Sequence, residues 1–109
     1  MELLEYLMDL LNSIDEEIVL VDTNHKIVFL NIAAKKNYKE RFGENLEGKS
    51  ILNCHNENSK KIILDVFEKL KQGENKVEIE GTPTKRSFVL AVRDSLGKLV
   101  GYFEKFETR

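Results

Sequence analysis

The stretch RSFVLAV, residues 86–92, is apolar at five consecutive positions from Phe88 to Val92. A short run buried on both faces reads as a central strand, which needs a hydrogen-bonded neighbour on each side. The chain must therefore build a sheet around it. Asp94-Ser95-Leu96-Gly97 then forms a turn into KLVGYFEKFE (98–107), which roughly alternates apolar and polar residues. Upstream, NKVEIEGT sets Val77 and Ile79 against Lys76, Glu78 and Glu80, the pattern of a strand with one wet face. The acids Glu78 and Glu80 share that face and solvate it. Pro83, the only proline, falls in the connection before the central strand, where it removes no ladder hydrogen bond.

The first third holds a second strand pair. IVLVD (18–22) and KIVFLN (26–31) flank a turn at Thr23-Asn24-His25. Helical patterns occupy the rest. Residues 2–13 carry Leu3, Leu7, Leu10 and Ile14 at helical spacing, broadened by Leu4 and Leu11, a stripe that reads either as a helix lying on the domain's own core or as one pairing with its copy in a dimer. Residues 32–42 are expected to be a helix with Ile32, Ala33, Lys36, Tyr38 and Phe42 on its partly buried face, stopped by Gly43. Residues 58–72 give the clearest helix: Ile62, Ile63, Val66, Phe67 and Leu70 form one face, Asn56, Asn58 or Ser59 caps it, and Gly73 ends it. Between the last two, ENLEGKSILNCHNEN (44–58) lacks a sustained period and reads as loop or short helical turns. Strands at both ends with helices gathered between them predict an antiparallel α+β domain. We divide it into a flanking helix, 1–14, and a domain, 15–109.

Composition narrows the function. A chain of 109 residues holds one core. Its 17 basic and 19 acidic residues give a net charge of -2, which implies no nucleic-acid surface. No apolar window approaches a membrane span, the N-terminus lacks the basic region of a signal peptide, and one cysteine makes no internal disulfide. The expected location is the cytoplasm. There is no phosphate-cradling glycine loop, zinc-spaced cysteine set or carboxylate pair in an apolar setting, so no enzyme is expected.

IDEEIVLVDTNHKIVFLNIAAKK and RSFVLAVRDSLGKLVGYFEKFETR together resemble the PAS domain family over nearly the whole chain. The first is similar to the family's opening hairpin, whose second strand ends in an asparagine, here Asn31. The second is similar to its last two strands, joined by a D-x-x-G turn. The resemblance implies a five-stranded antiparallel sheet, helices packed on one face, a small-molecule pocket between them, and a sensory or dimerisation role without chemistry.

GKSILNCHNENSKKIILDVFEKL resembles a PAS subgroup with the segment G-x-x-[VIL]-x-x-[CL]-H-P-x-x-S, matched by Gly48, Ile51, Cys54, His55 and Ser59. That subgroup includes bacterial carbon-monoxide-responsive transcription regulators, and the likeness implies His55 as an axial ligand to haem iron. Asn56 stands in place of the proline. The stretch QGENKVEIEGTPTK, where the haem proteins supply a second ligand, contains neither Met nor Cys. For His55 the other readings are a loop-fixing hydrogen bond, or a pH or substrate contact. His25 is the lesser candidate, because a hairpin turn normally faces solvent. For Cys54 the readings are core filler, a redox-sensing thiol, or a thiolate paired with His55; adjacent side chains diverge and nothing orients such a base.

The candidate ligand-binding set is thus His55, Cys54, Ile51, Leu52, Ile63, Phe67 and Leu90. Inward strand positions are expected at Val19, Val21, Val28, Leu30, Phe88, Leu90, Val92, Tyr102 and Glu104, or at their neighbours one residue along, because a one-residue slip exchanges the faces. A core filled by these side chains, acting only in protein–protein contact, is the alternative to a pocket. The expected partners are a second copy through the N-terminal helix and a separate signalling output protein or domain, with no nucleic acid or membrane.

Overall fold

The structure is a computed structural model that describes every residue except Glu44, His55 and Arg109, and every side chain except also those of Arg41, Phe42, Cys54 and Thr108. Helix α1 (Leu3–Asn12) leads into strands β1 (Val19–Asp22) and β2 (Ile27–Leu30). Helix α2 (Ile32–Phe42), a 3₁₀ turn (Ile51–Cys54) and helix α3 (Glu57–Lys71) follow, then strands β3 (Lys76–Ile79), β4 (Lys85–Arg93) and β5 (Leu99–Thr108). The strands form one antiparallel sheet in the order β2-β1-β5-β4-β3. The apolar run of β4 therefore lies between β5 and β3, as its composition requires.

Paired residues share a face, so the register identifies the inner one. Leu30, Val19, Glu104, Val89 and Val77 form one row across all five strands. Ile27, Val21, Tyr102 and Ala91 form the next. Against this face α3 lays Val66 and Leu70, both buried, with Ile62, Ile63 and Phe67 partly buried around them. Each such aliphatic contributes about 1.5–3 kcal/mol on burial. Asn56 caps the helix by accepting a hydrogen bond from the Ser59 backbone N–H at 2.9 Å.

Helix α2 has the expected limits, with Gly43 in the left-handed conformation that ends it. Its buried face differs from expectation. Ala34 and Tyr38 are inside, while Ile32 at its first turn is exposed and Lys36 faces out. Asn31 explains this orientation. Its fully buried side chain caps α2 through Ala34 N–H at 3.0 Å and also accepts from Ile18 N–H. Its amide donates to the carbonyls of Leu11, Ile14 and Glu16, tying the end of α1 to the sheet.

Beyond that joint α1 stands free. Residues 1–10 are all exposed and the helix has no buried residue, so it does not lie on its own domain's core. Among the described residues no helix is long and apolar enough to cross a membrane.

Candidate functional site

A cavity of about 200 Å³ lies between the sheet and α3. Its floor is Val19, Val21, Val89 and Tyr102 from the inner sheet face; its roof is Ile62, Ile63, Val66, Phe67 and Leu70 from α3. Ile51 and Ile79 close the ends, and the polar lining consists of Ser59, Glu80, Glu104 and the phenol of Tyr102. An apolar cavity of roughly 150 Å³ holds benzene, so this one has room for a single ring or a short aliphatic chain.

Of the ligand-binding set, the fold brings Ile51, Ile63 and Phe67 together at the cavity. Leu52 packs against the core cluster without lining it. Leu90 does not join them: it pairs with Lys76 and Phe103 on the opposite face, and Val89 takes the inward place. Val19, Val21, Leu30, Tyr102 and Glu104 face in as expected, while Phe88 and Val92 turn outward with Leu90 and Val28 is exposed. Outward Phe88 is nonetheless buried, because Lys76 Nζ lies 4.1 Å and the Arg86 guanidinium 5.0 Å from its ring. With both faces of β4 covered, its sequence carries no alternation to reveal the register. His55 lies outside the described residues; Cys54 closes the 3₁₀ turn, its side chain likewise outside.

Behind the cavity wall stands a residue the sequence ranked low. His25 adopts a left-handed φ of 64°, the only described non-glycine residue with a positive φ. Its ring turns inward from the hairpin. Nδ1 lies 2.9 Å from Tyr102 Oη in a hydrogen bond, and the ring meets Phe67 edge-on at 4.8 Å between centroids. Phe67 and Tyr102 are 5.9 Å apart, completing a three-ring corner whose other two members line the cavity. The His25 carbonyl accepts from Ile51 N–H at 2.8 Å, so one residue touches the 3₁₀ turn, α3 and β5. Burial lowers the His25 pKa from its ordinary value, against a smaller opposing pull from Asp22. Burial likewise raises that of Tyr102, with Asp22 and Glu104 adding to it.

Several solved structures share this fold. A C-terminal domain from Streptococcus mutans superposes with a TM-score of 0.79 at 22% identity, covering 96% of this chain and 84% of that one. A sensory box sensor histidine kinase from Vibrio cholerae gives 0.69 at 16%, covering 96% and 90%. The PAS domain of BvgS from Bordetella pertussis gives 0.66 at 18%, covering 97% and 85%. No curated protein sequence matches the chain. Residues 7–106 match the PAS domain family, a span that takes in all five strands except the last two residues of β5, both packed helices and most of α1. The chain belongs to the PAS domain family.

Proposed function

We propose that this PAS domain is a sensory module of signal transduction that binds a small, uncharged, largely apolar molecule between α3 and the sheet, and carries no chemistry of its own. The observation that carries the reading is the cavity of about 200 Å³. Its walls are mostly aliphatic, and its charged lining groups among the described residues are the carboxylates Glu80 and Glu104. An anion entering it would lose water at great cost and meet like charge; a neutral ring loses far less on leaving water and meets no like charge. Neutral single-ring compounds should shift the methyl resonances of Ile63, Val66 and Leu70 in NMR spectra, and matched ring carboxylates should not. Unmoved methyls across the neutral series would sink the ligand-binding reading.

The domain reports its state, in this proposal, through α1 in a homodimer, with the signal passed on to a separate output protein or domain. Leu3 is 72% exposed, Leu4 67% and Leu10 59%, a strip that soluble monomers rarely leave in water. The outer sheet face offers half-buried Leu90 and Phe103 as apolar contacts, among Lys76, Arg86 and Lys105 that are ion-paired with Glu107 and Glu78. Sedimentation of the chain and of a Leu7→Glu, Leu10→Glu variant tests this. A dimer that the variant halves is the expected result, and a monomeric parent at high concentration contradicts it.

A further inference from the structure

The turns Asp22–Lys26 and Asp94–Lys98 have the same backbone. In each, the aspartate Oδ1 accepts from the N–H two and four residues on, at 2.9 Å for Asn24 and Lys26 and at 2.9 and 3.0 Å for Leu96 and Lys98. In each, the fourth residue is left-handed and donates its N–H to the aspartate carbonyl at 3.0 Å. That fourth residue is Gly97, φ 84°, in one turn and His25, φ 64°, in the other. Glycine adopts this conformation freely and a side chain resists it. A Cβ on Gly97 would meet nothing, whereas the His25 side chain reaches the corner formed by Phe67 and Tyr102. Histidine at a glycine position, spending its strain on a contact behind a cavity, points to a use for the ring.

We propose that His25 links occupancy of the cavity to protonation: the neutral ring holds Phe67 and Tyr102 in the ligand-binding arrangement, and the imidazolium releases them. The link rests on the cavity being the ligand site. Neutral imidazole satisfies the Tyr102 hydroxyl while packing against the Phe67 edge. An unprotonated Nδ1 can accept from the Tyr102 hydroxyl and the imidazolium cannot, and the charged ring, part-buried in this corner, gains water by turning out of the hairpin. Around the ring stand Asp22 from β1, which favours the charge, and Tyr102 from β5. Lys71 Nζ from α3 lies 5.6 Å from the centroid of the Phe67 ring. Lys26 and Lys49 belong to the two segments bridged beside the turn. By reciprocity, a ligand that favours the neutral arrangement must also make His25 harder to protonate.

Fluorobenzene, a neutral ring matched to the volume, serves as the probe. Its dissociation constant is measured by ¹⁹F NMR over about pH 5.5 to 8, the interval in which histidine titrates. The measurement uses the parent and His25→Gly, whose backbone the Gly97 turn already demonstrates. We expect parent affinity to fall about fivefold or more toward the acid end, the His25 ring titration midpoint to drop on adding probe, and both effects to vanish in His25→Gly. Tyr102→Phe should shrink the dependence. Binding that is independent of pH in the parent, or equally dependent in His25→Gly, overturns the proton link and leaves the cavity reading standing. No binding at any pH overturns both.

Discussion

The two matching turns differ in what their fourth residue is asked to do. At Gly97 the residue only closes the turn between β4 and β5, and open space surrounds it. At His25 the same backbone carries a side chain that reaches Tyr102 and Phe67. Because hydrogen-bond plan and φ sign agree, the comparison separates the backbone requirement from the side-chain contribution. A left-handed side chain costs on the order of 1 kcal/mol or more. At His25 this cost is offset by the ring's contacts with Tyr102 and Phe67, and at Gly97 it does not arise.

Substitutions at the two turns should break or sharpen this contrast. The largest effect belongs to His25→Ala, which keeps the left-handed strain and loses both ring contacts; we expect a loss of about 2–3 kcal/mol in chemical denaturation. Gly97→His imports the strain with no partner for the ring, and should lose about 1–2 kcal/mol. Tyr102→Phe removes only the hydroxyl, for about 1 kcal/mol. His25→Gly relieves the strain while losing the ring, so the terms offset and the net change should stay within about 1 kcal/mol. If His25→Ala and His25→Gly denature alike, the left-handed strain is not a real term and the comparison loses its basis.

A smaller effect concerns pH. Burial holds the folded-state pKa of His25 below its ordinary value of 6.5. Between that lowered value and 6.5 the unfolded chain binds the proton more readily, so stability falls as pH falls through this window. Above it the full stability is present. His25→Gly should flatten this limb of the stability profile, while Gly97 variants should leave its slope unchanged.

The same residues show how far the sequence could be read. The five strands, α2 with its limits and α3 with its cap were all legible, because periodicity and turn chemistry agree there. The register of β4 was not: Lys76 and Arg86 cover Phe88 from outside, so both faces are apolar and Leu90 could not be told from Val89. The stripe on α1 announced an apolar face but not its partner, since Leu3, Leu7 and Leu10 have the same pattern whether covered or bare. Of the expected helical wall, Ile63 and Phe67 on α3 and Ile51 on the 3₁₀ turn line the cavity, whereas Leu52 beside Ile51 packs on the core instead. His25 was passed over because polar turns usually face water. The signal was present in the spacing D-T-N-H-K against D-S-L-G-K, where a histidine occupies the place of a glycine.

The central claim, that this histidine faces inward for its ring, is tested most directly by NMR of the His25 imidazole in the full chain. The account predicts cross-relaxation from the ring protons to those of Phe67 and Tyr102, together with a titration midpoint below that of the acid-unfolded chain. A ring with no such contacts, titrating as a free histidine does, would contradict it.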